Sequence, residues 1–161
     1  MLERLWPSSA RDNGNLGPLT IRLEPTIADV ALLCARVLIG YIFVLGGWGK
    51  LMGLAGFASY LEQHGIPAGN AFALLGAAVE LVGGLALIAG VATRYVLLAV
   101  IAFTLIATGI AHRFWEFEAS ARRAQAINFN KNMAMIGGML ALFVAGPGRF
   151  SIDGWLARRR S

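Results

Sequence analysis

Three stretches of this chain are almost continuously apolar: about Ile27 to Gly49, about Ala71 to Ala92 and about Tyr95 to His112. A helix needs about 20 mostly apolar residues to cross a hydrocarbon core of about 30 Å. Each stretch is long enough, or nearly so, to do it. A fourth begins between Ala126 and Asn132 and ends at Gly146, before Pro147. Its continuously apolar part, Met133 to Ala145, is too short to cross alone. Its start must therefore include Asn128, Asn130, Lys131 and Asn132, or lie in a polar recess. Four such helices on short connections predict an all-α fold, an integral membrane antiparallel four-helix bundle. The expected spans are about 27–49, 71–92, 95–112 and 128–146.

Composition excludes the alternatives. The chain has 161 residues, enough for one domain, and is 57% hydrophobic but only 14% charged. A soluble domain carries about 25% charge. Its surface-to-volume ratio would leave no way to hide so much apolar area. Disorder needs the opposite composition. Residues 1–26 hold Pro7, Gly14, Gly17, Pro18 and Pro25 without an apolar core, so they read as a polar, partly flexible tail and not a secretory signal. The expected organisation is this tail, a membrane domain over 27–153 and a basic C-terminal tail over 154–161.

The net charge of +5 does not point to nucleic acid. The basic residues flank the apolar runs, as in a bilayer protein, with no aromatic-basic interleaving. With both termini on one side, that side holds Arg4, Arg11, Arg22, Arg94, Arg149, Arg158, Arg159 and Arg160. The other holds Lys50, Arg113, Arg122, Arg123 and Lys131. The bias predicts cytoplasmic termini, with the Arg158–Arg160 run near anionic lipid. Cys34 is the single cysteine, so no intramolecular disulfide and no CxxC motif exists. No His, Cys and carboxylate residues show metal-ligand spacing, and no GxGxxG or GxxxxGK[ST] motif is present. No metal site is expected.

The informative residues are those that cost energy in lipid. Arg36 and Glu80 each lie about nine residues into their spans, entering from opposite sides, which is about 13–14 Å of rise. Opposite charges at matching depth predict an Arg36–Glu80 ion pair, because each alone would cost about 2.5–3.5 kcal/mol or more. Arg36, Gly40, Phe43, Gly47 and Lys50 share one helical face. Gly76, Glu80 and Gly84 share another, as do Thr104, Thr108 and His112, and Asn128, Asn132, Met135 and Met139. Each span thus brings a polar line to a common interior.

Lys50, His64, His112, Arg113, Glu116 and Asn132 fall toward the outer side, with Glu80 beneath them. Together they suggest an outward-opening polar cavity for a quinone head group, an anion or a lipid head group. Haem suits it less, since neither histidine lies mid-span. A plainer account stands beside this one. Buried Arg–Glu pairs can serve register alone. Thr104 and Thr108 suit back-bonding to their own helix, and the paired glycines suit close helix packing.

Several segments resemble the DoxX family. They begin with Ala35-Arg36, Gly46-Gly47-Trp48-Gly49-Lys50-Leu51 and His64-Gly65-Ile66-Pro67. They continue through Glu80-Leu81-Val82-Gly83-Gly84, Gly90, Thr93-Arg94, Lys131-Asn132 and Gly137-Gly138. They close with Gly146-Pro147-Gly148-Arg149-Phe150-Ser151-Ile152-Asp153. The resemblance runs from about Asp29 to Asp153 in the family's order. It implies a four-span protein of the bacterial or archaeal cytoplasmic (inner) membrane, in a family linked to quinol oxidation and thiosulfate:quinone oxidoreduction. It carries over Arg36, Lys50, Glu80 and Asn132 as intramembrane polar positions.

Residues and resemblance together lead to the expectation of a quinone-linked oxidoreductase subunit with quinone as its one candidate cofactor. Glu80 and His112 are the candidate catalytic groups. Arg36, Lys50, Glu80, His112 and Asn132 are the candidate cavity residues. The chain has no redox motif of its own, so a membrane or periplasmic redox partner is expected, and a homo-oligomer is compatible. A non-catalytic membrane scaffold and a small binder or transporter of a hydrophobic molecule remain open.

Overall fold

The computed structural model describes residues 24–160, so most of the N-terminal tail lies outside the described residues. They form helices α1 (Pro25–Met52), α2 (Leu54–Gln63), α3 (Gly69–Ala89), α4 (Thr93–Ala111), α5 (Ala119–Ala145) and α6 (Ile152–Arg160). A single 3-10 turn, Phe114–Glu116, joins α4 to α5. No strand occurs among the described residues. The protein is an all-α membrane protein.

The chain's punctuation follows local chemistry. Pro25 opens α1, where its fixed φ suits the first turn and its missing N–H costs nothing. Gly90 closes α3 in the left-handed region at φ 69°, and the following Val91 N–H returns to Ala86 O at 3.0 Å. That is the usual way to satisfy the last carbonyls of a helix. α2 was not anticipated, because its ten residues merge with the apolar run before them. It starts where Gly53 interrupts α1, and it packs Ala58 and Leu61 against Ala73 of α3 in a small core of its own.

α1 and α3 run antiparallel in near backbone contact. A Cβ built on Gly47 would lie 2.5 Å from Leu81 N and 2.8 Å from Ala77 O, and one on Gly84 would lie 2.7 Å from Gly40 O. Only glycine allows that approach, the means by which membrane helices gain van der Waals contact. α4 lies antiparallel on α3, with Val100 beside Gly83 and Phe103 beside Gly76. α5 runs back along α4 and meets α1, where Ile39 reaches Gly138. Phe43, Leu87, Leu97, Val100, Ile136 and Met139 fill the space between these helices.

The outside is apolar too. Leu38, Val82, Tyr95, Ile106 and Val144 are each more than 60% exposed, which water would not tolerate in one contiguous belt. α1, α3 and α4 are long and apolar enough to cross a membrane. α5 has the length, at 27 residues, but its first half is polar.

Below, the end of the bundle at which α1 begins and α3 ends is called proximal. The end at which α1 stops and α3 begins is called distal.

Candidate functional site

The predicted lines of α1 and α3 turn inward, as do Thr104 and Thr108 of α4, while on α5 Met139 is buried and Asn128, Asn132 and Met135 are half-buried. Arg36, Gly40, Phe43 and Gly47 are the buried residues of α1, and Gly76, Glu80 and Gly84 are buried on α3. What they do inside differs from expectation in one respect.

Arg36 and Glu80 do not pair. The α1–α3 register places Gly46, not Arg36, against the Glu80 carboxylate, with a built Cβ 3.0 Å from Glu80 Oε2. Arg36 lies ten positions before Gly46, about 15 Å along the helix. Counting depth from the ends of each span failed because α1 is longer than α3 and overhangs its proximal end.

The partner of Glu80 is Lys50. Its Nζ donates to Oε2 at 2.6 Å. The side chains are 29% and 11% exposed, so the pair is half-hidden at the α1–α3 seam. Phe57 of α2 lies 5.4 Å from the ammonium and covers one side, a favourable placement for a cation over a ring. Glu80 Oε1 takes no hydrogen bond among the described residues. An ion pair with one unused carboxylate oxygen, a glycine keeping the backbone clear and an aromatic roof can accept a polar head group from the hydrocarbon.

Arg36 does structural work at the proximal end. It is fully buried and donates from Nη1 to Leu87 O and Ile88 O, at 3.4 and 3.1 Å, and from Nη2 to Phe150 O. A cation on the last carbonyls of α3 is favoured by the helix dipole. The neighbouring Asp153 takes the Ala92 and Thr93 amides and the Thr93 hydroxyl, each at 2.8 Å, and so caps α4 from α6. Burial pushes the Asp153 carboxyl up, but those three hydrogen bonds and the Arg36 charge outweigh it and hold it below the ordinary aspartate value. Asp29 of α1 accepts the Arg149 amide at 2.8 Å. The segment from Gly148 to Asp153 therefore buckles α1, α3 and α4 together. Pairing Arg36 with Glu80 from the sequence placed it away from this segment, to which it belongs.

The distal residues form a second group on α4 and α5. His112 Nδ1 meets Gln125 Oε1 at 2.8 Å; an Nδ1–H donated there leaves Nε2 as the basic nitrogen. Asn132 donates to Thr108 Oγ1 at 2.8 Å. The Thr108 and Thr104 hydroxyls bond back to the carbonyls of Thr104 and Val100 in their own helix. His64 meets Tyr60 O at 2.8 Å, and Arg113 pairs with Glu116 at 3.0 Å. The candidate positions thus fall into three groups: Arg36 proximally, Lys50 with Glu80, and His112 with Asn132. A surface groove of about 360 Å³ between α3 and α4 is lined by Ala78, Val79, Val82, Gly83, Val96, Ala99 and Val100, all apolar. No group of three or more potential metal ligands occurs among the described residues.

Comparison with known proteins gives consistent relatives. The family model described as DoxX matches residues 31–113. The inner membrane protein YqjF of Escherichia coli (strain K12) is 37% identical over 83% of this chain and 97% of its own length. The inner membrane protein YphA of the same organism is 32% identical over 77% of this chain and 89% of its own length. A protein of Bacillus subtilis (strain 168) named "Putative oxidoreductase CatD" is 36% identical over 42% of this chain and 49% of its own length. No solved structure matches.

Proposed function

The chain belongs to the DoxX family, and from that premise we propose that it is a quinone-linked component of a membrane oxidoreductase system whose ligand site is the Lys50–Glu80 pair. In this reading α5 crosses the bilayer with α1, α3 and α4, and both termini face the cytoplasm, as the distribution of Arg and Lys favours. The oxidoreductase name of the Bacillus relative supports the reaction class. The observation that carries the reading is the 2.6 Å ion pair inside the apolar helices with Glu80 Oε1 unused.

A bound quinone would supply the two-electron chemistry. The chain's residues supply the rest. Lys50 Nζ would donate a hydrogen bond to a head-group oxygen, and Glu80 Oε1 would take the proton of a quinol hydroxyl as its electrons pass to the redox partner. Each group has a role only while the other holds it in place. Gly46 keeps the backbone away from the carboxylate, and Phe57 limits water. The electron partner is a separate redox protein. His112 and Asn132, engaged with Gln125 and Thr108, clamp α4 to α5.

Thermal unfolding of the detergent-solubilised protein with decylubiquinol tests this. The wild type is expected to gain several degrees, and Glu80→Gln to gain none. No shift in the wild type, or equal shifts in both, would remove the quinone site. The scaffold alternative draws on the Arg36 buckle, which is structural throughout, and predicts a stoichiometric protein partner without bound quinone.

A further inference from the structure

Glu80 is only 8% exposed, yet its Oε1 takes no hydrogen bond among the described residues. That atom is not sealed in. Among the described residues, the sealed side-chain atoms without a partner are Arg36 Nε and Arg113 Nε, so Glu80 Oε1 keeps an open approach. An ionisable group this deep among apolar helices faces the inside of the bundle or an opening in it.

Gly46 shows where the opening lies. Ile39, Gly46 and Lys50 stand at i, i+7 and i+11, so they share one stripe of α1. Ile39 is where this stripe touches α5, its Cδ1 lying 3.9 Å from a Cβ built on Gly138. No other atom of a neighbouring helix comes within 4 Å of that Cβ. The atoms nearest to a Cβ on Gly46 are those of the Glu80 carboxylate, at 3.0 to 3.7 Å. The carboxylate therefore lies against the side of α1 that turns toward α5.

Distal to Ile39 the two helices part. The α5 stripe through Gly138 continues with Ala134 and Lys131, at i−4 and i−7, and all three are exposed. Gly46 and Lys50 opposite them are half-buried. Helices packed along their whole length would cover these positions. They leave instead a slot with Glu80 at its floor, the Ile39–Gly138 contact at its proximal end and Phe57 beyond Lys50. Ile42, exposed and apolar, forms the lip on α1, and Ala134 the lip on α5. The slot thus opens sideways onto lipid.

We infer that the Lys50–Glu80 site fills laterally from the bilayer through this slot, and that its ligand carries a long apolar tail. The inference rests on the quinol reading above and narrows it to lipid-tailed quinols. The head group meets Lys50 and Glu80. The tail leaves between Ile42 and Ala134, where α5 offers no side chain large enough to block it.

The full-length chain in phosphatidylcholine nanodiscs is titrated anaerobically with decylubiquinol and with the same dimethoxy-methylhydroquinone ring lacking the tail. Binding is read as the midpoint of the rise in melting temperature. The bilayer concentrates the tailed quinol at the slot, so its midpoint is expected at least about tenfold below that of the bare ring. Ala134→Trp plugs the slot and should raise the decylubiquinol midpoint, leaving the bare ring's midpoint and the unliganded melting temperature unchanged. Leu75→Trp, on the lipid-facing side of α3, should change none of these. Should the indole at position 134 itself lower the unliganded melting temperature, Ala134→Leu repeats the test with a smaller plug. No shift with either quinol would remove the head-group site, and this inference with it. Equal midpoints for the two quinols, or an unaltered decylubiquinol midpoint in the plugged variant, would overturn the slot and leave the Lys50–Glu80 site standing.

Discussion

Asp153 and Thr93 meet at two points: the backbone N–H and the hydroxyl of Thr93 both donate to Asp153 Oδ2 at 2.8 Å, across sixty residues of chain. Ala92 N–H adds a third bond, to Oδ1. A carboxylate at a helix N-terminus gains both hydrogen bonds and the dipole's field. Asp153→Ala is expected to cost about 1–2 kcal/mol at neutral pH, the upper range for a lost cap.

The same contact sets an acid dependence. The Asp153 carboxyl is held below its ordinary value of about 3.9. Its contribution is complete above that value and disappears as pH falls through the lower folded value. Melting curves of wild type and Asp153→Ala should therefore run apart at pH 7 and begin to draw together as pH falls below about 4. Curves that keep the same separation throughout the acid range would mean the cap works without the charge.

Breaking the Lys50–Glu80 pair from one side should be worse than removing it whole. Lys50→Met leaves a carboxylate in the seam and is expected to cost about 3 kcal/mol, as for other buried pairs missing one partner. Lys50→Met with Glu80→Leu should recover most of that loss. Denaturant titration in detergent gives both numbers; a double variant as unstable as the sum of the singles would deny the pairing.

Glycines along α1 should separate sharply. Gly47→Ala pushes a Cβ onto Leu81 N at 2.5 Å and is expected to cost about 1–3 kcal/mol. Gly49→Ala, with nothing within 4 Å, should be neutral or gain up to about 1 kcal/mol in helix propensity. Thermal melts of the two variants rank them directly.

Asn132→Leu removes one interhelical hydrogen bond at the α4–α5 seam. Bonds of this kind in membrane proteins average about 0.6 kcal/mol. A double-mutant cycle with Thr108→Val should return a coupling near that size. Zero coupling would place the Asn132 amide elsewhere.

Much of this architecture was legible in the residues. Hydropathy located α1, α3 and α4, and helical spacing sorted Arg36, Gly40, Phe43 and Gly47 onto the buried face that they occupy. Register was not legible. It depends on how far Gly47 and Gly84 let two backbones slide together, a property of the pair that neither span carries alone. The error over Arg36 and Glu80 follows from that. α2 escaped because one glycine, Gly53, turns a continuous apolar run into two helices. The buckle at Asp153 escaped because its partners lie about sixty residues away and include backbone amides, which have no sequence signature.

The position of that buckle in the chain has a consequence for biogenesis. Residues 148–153 leave the ribosome after α1 to α5 have been made, yet they supply one of the acceptors of Arg36 and the cap of α4. Until they arrive, the α3–α4 turn stands unlatched and a guanidinium waits at the proximal end with fewer acceptors than it will finally have. A segment synthesised more than a hundred residues later thus acts as a seal on α1. A chain halted at Gly146 would present the cell's quality-control proteases with a membrane domain whose helices α1 to α5 are present and whose clasp is missing.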